Sequence, residues 1–557
     1  MPVINAEYGF FANLLGKDIG KDELEDILFN YGIEVNYEEN SMAMEITHDR
    51  PDLLSIYALA KAIRQYLKIE KPERFDDIKP SGYEIIVDRS VEEVRPFIAG
   101  FVAKDMHMDE NKVKELVYLQ EKLHATFGSD RRIASIGLYV RDMIKSPIIY
   151  KAASPDEISF VPLNKERKMN ATEILKNHET GQKYGHLLMG HKKYPVLLEG
   201  TGKIMSMAPI INSNDIGRIN EDTENIFVEI TGTNFNRVSQ LANLLAYIFY
   251  TMGAKLESVK VKYSDKEVIY PQSKEREISV KFEKINSYFG IKIDKAKVRE
   301  LLDRMGYNVE STSDDEVKVL VPFYRTDILH QVDVIEDMIK AYGLNNFELK
   351  LPTTYTQGKL LAKTKVVNYL RDLMIGLGFN EVFTSALSNK DTQYSAMGLN
   401  EKDYKPIEVL GAKSIDVNIV RVSIIPELLR LVHTNEHIPL PIKIFEISDI
   451  VRHEKTESGY KNETKLSALI YNTEATFTEA KQVLDYLLRI LGINYSLEDN
   501  NMQYFIEGRA GHIIVNGKDI GELGEINPKV LSNFGLKAPA VALQISIDFI
   551  NSILNKA

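Results

Sequence analysis

The apolar positions of this chain change period along its length, and the changes mark out its elements. Residues 21 to 32, KDELEDILFNYG, set Leu24, Ile27, Leu28 and Tyr31 on one helical stripe, with Gly32 as a natural C-terminal stop. Met42, Met44 and Ile46 then alternate as a strand does, Pro51 punctuates a turn, and a second helix begins near Asp52. The same order returns in the middle of the chain. Val298, Leu301, Leu302 and Met305 form the stripe, Gly306 the stop, and Val317, Val319 and Val321 the alternating strand. Tyr324-Arg325-Thr326-Asp327 then stands where Asp49-Arg50-Pro51-Asp52 stood. This is an internal duplication of a helix-strand-turn-helix unit.

Between the copies, from about Pro96, short strands surround one long helix. The strand PFIAGFVAKDM leads to a helix over residues 111 to 127, with Leu116, Leu119, Leu123 and Phe127 facing inward. Strands IASIGLYV, ISFVPLN and YPVLLEGTGKIMSMAPIIN follow, and IFVEITG turns at Gly232 into an apolar helix that reads as core. From about Leu360 the pattern gives a helix, TKVVNYLRDLMIGLG, a β-rich run, NEVFTSALS, a strand breaking at Pro426 into a helix, and the strand IKIFEISDIV. An antiparallel sheet flanked by helices fits that order better than a βαβ repeat. The fold class predicted is therefore α+β and multidomain, with domains at 1–85, 86–268, 269–353 and 354–557.

Composition narrows the chemistry. With 557 residues there is ample chain for several cores at roughly 150 residues per domain. No apolar run approaches a membrane span, and MPVINAEYGFFANLL lacks the basic start and cleavage site of a signal peptide, so no membrane association and a cytoplasmic location are expected. The absence of cysteine excludes disulfides, thiolate zinc sites and a cysteine nucleophile. A net charge of -11 argues against a dedicated nucleic-acid coat but leaves tRNA possible through a local surface or a partner chain. There is no P-loop, HExxH helix, GxSxG elbow or GxGxxG turn. His433 and His437 are four apart but have no third ligand nearby, and Pro439 ends their helix, so they are not read as a metal site.

The second copy of the repeat carries the candidate chemistry. Asp333, Glu336 and Asp337 share one side of a helix, with Asp327 a turn or two before them. Such carboxylates repel unless neutralised, and a hard divalent cation such as magnesium does that with oxygen ligands. A solvated helix face is the plainer reading. The duplication supplies an internal control, because the corresponding positions of the first copy read Ala58, Lys61 and Ala62. Carboxylates absent from one copy are not demanded by the shared fold, which favours a function at that one place.

LQEKLHATFG at 119 to 128, MSMAPIINSN at 205 to 214, VEITGTN at 228 to 234, PFYRTDILHQVDVIEDMIKAYGLNN at 322 to 346 and GELGEINPKVL at 521 to 531 together resemble the β subunits of phenylalanyl-tRNA synthetases, in their shorter archaeal and eukaryotic form. The resemblance runs over nearly the whole chain in the family's domain order. It implies B1-like and B5-like copies of the repeat, a central B3/B4-like editing domain, and a class II synthetase-like C-terminal domain without catalytic motifs. It also implies an α2β2 enzyme that joins phenylalanine to tRNA-Phe with ATP, bound mainly by the α subunit, with no synthetic catalytic site in this chain. By the same resemblance Asp327, Asp333, Glu336 and Asp337 are the expected magnesium ligands, and Leu197, Ser206, Glu229 and Thr231 the expected editing residues for hydrolysis of tyrosyl-tRNA-Phe. Glu229 could accept the phenolic hydrogen bond, while Ser206 and Thr231 could position substrate or water. Two departures stand out: Glu229 replaces a usual aspartate, and Tyr139-Val140 replaces a His-Asp pair. A noncatalytic scaffold or RNA-binding subunit that has lost editing is the competing reading.

Overall fold

The computed structural model describes residues 1–39, 41–75, 78–412 and 414–555. They form two compact units, Met1–Leu351 and Pro352–Ala557.

In the first unit the duplication is longer than the sequence pattern suggests. Each copy opens with a strand and a short helix, Val3–Glu7 and Tyr8–Leu15 in the first, Arg276–Lys281 and Phe282–Phe289 in the second. Gly16 and Gly290 end these helices at φ 66 and 67, the left-handed region that glycine enters without a Cβ penalty. Helices Lys21–Tyr31 and Lys295–Arg304 follow, then hairpins Glu34–Glu38 with Ser41–Glu45 and Asn308–Thr312 with Glu316–Val321. The copies close with helices Ile56–Tyr66 and Gln331–Tyr342. In both three-stranded sheets the last strand lies at the centre, antiparallel to its two neighbours. The two copies pack directly on one another: Arg304 donates to the Tyr66 carbonyl at 2.8 Å and its guanidinium lies 4.2 Å over the Tyr66 ring.

A ten-stranded sheet lies between the copies in sequence. Strands Tyr194–Leu198 and Ile204–Met207 sit near one end of its order, while Ile226–Gly232 and Ala134–Val140 form the other. The sheet curls until its two ends meet, as when the Asn212 side-chain amide donates to the Leu138 backbone carbonyl at 3.1 Å. Helix Phe235–Thr251 buries Leu241, Leu245, Ile248 and Phe249 against the sheet, as its apolar sequence predicts. One continuous core joins the sheet to both copies, and the stacked rings of Tyr247 and Tyr324, 3.4 Å apart, are part of that join.

The second unit is a seven-stranded sheet with one core on each face. Its long strand Tyr460–Tyr471 sends Leu466, Ala468 and Ile470 to one core, with helices Ala362–Gly376 and Phe477–Ile490, and Leu469 and Tyr471 to the other, with Ile425–Thr434. The sheet is antiparallel except where Asn380–Glu381 runs parallel to Ile442–His453. The run NEVFTSALS yields only the two-residue strands Asn380–Glu381 and Leu387–Ser388. Thr384 spends its N–H and its hydroxyl on Glu446 Oε2, at 3.2 and 2.6 Å, where a ladder would need its backbone. The helix holding His433 ends at Thr434, so His437 lies beyond it.

Candidate active site and acidic cluster

Glu229 sits in the middle of strand Ile226–Gly232, 3% exposed, directly opposite Gly137 of strand Ala134–Val140. A Cβ at position 137 would lie 2.3 Å from Glu229 Oε2 and 2.7 Å from Tyr139 Oη. Glycine there opens the space in which the carboxyl group and the phenol meet. The Tyr139 hydroxyl donates to Glu229 Oε2 at 2.9 Å and lies 2.9 Å from Ser206 Oγ. Since Ser206 belongs to the far end of the sheet order, this three-group chain fastens the curled sheet across its seam.

The other oxygen, Glu229 Oε1, is buried without a hydrogen-bond partner. Glu229 and Ser206 both line a cleft of about 430 Å³ with Gln120, Arg131, Ser135 and Asn212. Burial pushes the Glu229 carboxyl up to about 7, against the lowering effect of its bond to Tyr139, of the nearby Thr231 hydroxyl and of the Arg95 charge. The cleft therefore presents a carboxyl group that changes charge near neutrality, with one oxygen free.

Two arginines shape this site. Buried Arg95 donates to Thr231 Oγ1 at 3.1 Å, to the Thr231 carbonyl at 2.7 Å and to Ser135 Oγ at 3.0 Å, and burial lowers its guanidinium to about 10. Arg131 donates to the carbonyls of Pro209 and Ile210, at 3.2 and 3.0 Å, and to Glu121 at 2.9 Å. Ser129, Asp130 and Arg131 all hold positive φ, of 50, 54 and 65, a run of left-handed backbone of the kind that is retained where surrounding bonds hold it in place.

Of the four expected editing residues, the structure puts Ser206 and Glu229 on the cleft wall. Leu197 is fully buried and pairs with Ser206 across the strands, and Thr231 is occupied by Arg95 and Ser135. Neither Leu197 nor Thr231 lines the cleft. Arg95 escaped the sequence reading because one arginine before a proline carries no periodic signal. Tyr139 stands out in the sequence only as a departure from the family pattern, because its partners are 67 and 90 residues away.

The acidic helix is arranged differently. Arg325 clamps Asp327 with two bonds, at 2.9 and 2.6 Å, and reaches Asp337 Oδ2 at 2.7 Å, where Tyr307 also donates at 2.7 Å. Burial alone would raise the Asp327 carboxyl, but its bonds with Arg325 hold it below the usual range. Asp333 turns back to cap its helix, accepting from the N–H groups of Leu329 and His330 at 2.8 and 2.7 Å. Glu336 is exposed and pairs with Lys340 at 2.8 Å. The first copy repeats the clamp, with Arg50 on Asp52 at 3.0 and 2.8 Å.

The oxygen-only donor set suits magnesium, but its arrangement in this chain does not fit a divalent ion. Asp327 and Asp337 are already bonded to the one guanidinium of Arg325, Asp333 caps its own helix, and Glu336 pairs with Lys340. Among the described residues no group of three His, Cys, Asp or Glu side chains is placed to hold a metal.

Family models match three stretches: the Phe-tRNA synthetase beta subunit B1 domain at residues 1–69, the tRNA synthetase B5 domain at 278–344, and the Phenylalanyl tRNA synthetase beta chain CLM domain at 348–547. The first two cover the two copies of the repeat, and the three together define a multidomain chain of the tRNA synthetases. The chain is 35% identical over 552 residues to the phenylalanine–tRNA ligase beta subunit of Pyrococcus horikoshii, covering 98% of this chain and 99% of that one. The same protein of Thermococcus sibiricus is 35% identical, with 98% of each chain covered. A crystal structure of an N-terminal fragment of the Pyrococcus horikoshii phenylalanyl-tRNA synthetase beta subunit matches with a TM-score of 0.59 and 33% identity, over 61% of this chain and 99% of the fragment. The chain belongs to the phenylalanine–tRNA ligase beta subunit family. Among the described residues no helix is long and apolar enough to cross a membrane.

Proposed function

We propose that this chain assembles with a phenylalanine–tRNA ligase α subunit as α2β2, in which the α chains bind phenylalanine and ATP and charge tRNA-Phe, and that its own cleft hydrolyses mischarged tyrosyl-tRNA-Phe. The observation that carries the editing reading is Glu229, which lines the cleft and keeps a buried Oε1 without a partner. Tyrosine differs from phenylalanine by one hydroxyl, which an apolar synthetic pocket rejects weakly, so a second site that rewards the hydroxyl is required. A buried acceptor without a donor is such a site. An incoming phenol satisfies Oε1, whereas phenylalanine leaves it orphaned, at a cost of about 1–3 kcal/mol.

Ionised Glu229 is the stronger acceptor for the phenol, so discrimination in favour of tyrosine grows as pH rises through about 7. Ser206 lies within reach of the same space and can orient a water toward the ester. The test is deacylation of tyrosyl-tRNA-Phe by the assembled enzyme, wild type beside Glu229→Ala, with phenylalanyl-tRNA-Phe as control. The editing reading expects selective hydrolysis that the substitution removes. Hydrolysis no faster than in buffer, in an enzyme that still charges phenylalanine, leaves the chain a structural partner only.

A further inference from the structure

We propose that Tyr139 is the positioning residue of this cleft: its phenol fixes Oε2 of Glu229, so that Oε1 is held toward the cavity to receive the hydroxyl of a tyrosyl ester. The inference rests on the editing reading above and names a residue that the reading does not need. Three observations carry it. The Tyr139 hydroxyl reaches Glu229 Oε2 at 2.9 Å while Oε1 is left without a partner, so the two carboxyl oxygens have distinct roles. Gly137 lies beside both, and any side chain there would collide with both groups. Tyr139 is also tied to Ser206 at 2.9 Å and fully buried, so its phenol is anchored from the far end of the sheet and cannot swing into the cleft as a free side chain could.

The charged and titratable groups around Glu229 are Tyr139, Tyr150 and Arg95 on the sheet side, and Arg131, Glu121, His178, Glu179 and Arg218 along the cleft. Among these Tyr139 is the phenol that bonds the carboxyl group directly, and its bond lowers the proton affinity of Glu229. Removing that hydroxyl therefore has two separable consequences. The carboxyl group loses its fixed orientation, and it holds its proton to higher pH.

The experiment uses the assembled α and β enzyme with Tyr139→Phe, which keeps the ring and removes the hydroxyl, and with Ser206→Ala, which removes the anchor of the phenol together with the hydroxyl offered to water. Deacylation of tyrosyl-tRNA-Phe and phenylalanyl-tRNA-Phe is followed against pH, and the carboxyl infrared band, with Glu229→Gln as the subtraction, reports the Glu229 midpoint. The expected result for Tyr139→Phe is a tyrosyl rate about tenfold lower, an unchanged phenylalanyl rate and midpoints of both rate and infrared band moved to higher pH; Ser206→Ala gives a lower tyrosyl rate as well. A faster tyrosyl rate in Tyr139→Phe overturns the inference, because Tyr139 would then be occupying the phenol's place. Unchanged rate and midpoint overturn it too, reducing Tyr139 to filling. A wild-type enzyme that hydrolyses no tyrosyl ester instead rejects the editing reading and the substrate named here, and the infrared midpoints then decide separately whether Tyr139 holds Glu229.

Discussion

Asp337 and Glu229 are both carboxyl groups about 3% exposed in the same unit, yet their surroundings differ in one respect that decides what each can do. Asp337 meets a guanidinium and a phenol, and Arg325 that serves it also clamps Asp327. Glu229 meets a phenol on one oxygen and nothing on the other. A buried carboxylate whose charge is met by a guanidinium, as Arg325 meets Asp337 on Oδ2, is architecture, whose main effect is to make the loss of either partner costly. A buried carboxyl group with an orphan oxygen on a cleft is a binding site waiting for a donor.

The largest effect that bears on this contrast comes from Arg325→Ala. It strands Asp327 and Asp337 together and should cost about 3–5 kcal/mol of stability in denaturant unfolding. Arg50→Ala strands only Asp52 and should cost less. A larger loss from Arg50→Ala would refute the view that Arg325 serves two acids.

Glu229→Gln should move stability the other way. The Glu229 carboxyl is raised from 4.5 to about 7 by burial, so the folded chain keeps a proton that the unfolded chain has released. Stability from this group is therefore full below pH 4.5 and declines up to pH 7, where the buried group ionises. The glutamine variant escapes that decline, gaining up to about 3 kcal/mol over wild type at pH 8 and almost nothing at pH 4. Thermal unfolding across that range checks it, and a gain that is flat with pH contradicts it.

Magnesium gives a third comparison. A divalent ion bound only to the folded chain at a hundred times its dissociation constant would add about 2.7 kcal/mol. The clamped arrangement of Asp327 and Asp337 predicts no such gain for the isolated chain in millimolar magnesium. A rise in melting temperature that Asp333→Asn removes would restore the metal site. The smallest effect belongs to Glu336→Gln, which breaks an exposed pair with Lys340 and should change stability by no more than about 0.5 kcal/mol.

How much of this was legible in the sequence follows from the range of each signal. The second halves of the repeats were readable because their stripes, glycine stops and alternating strands are local patterns, and Ala58, Lys61 and Ala62 do fall opposite Asp333, Glu336 and Asp337. Their leading strands and helices keep the same apolar spacing, with Ile4, Phe11 and Leu15 matching Ile278, Ile285 and Phe289 ahead of the glycine, but in different residue types and in elements of eight residues or fewer, too short for a period to stand out. In the second copy Asp337 gives buried Arg325 a second acid, where the first copy has Ala62 and Arg50 is buried on Asp52. Ser206 and Glu229 came from the family resemblance, but their meeting through Tyr139 depends on how far the sheet curls, which no local period records.

The most direct test of the contrast measures the ratio of tyrosyl to phenylalanyl deacylation in the assembled enzyme for wild type, Glu229→Gln and Asp337→Asn side by side. The account predicts that Glu229→Gln brings the ratio to near one while Asp337→Asn keeps the wild-type value in whatever fraction remains folded. A ratio that survives Glu229→Gln, or collapses with Asp337→Asn alone, would contradict it.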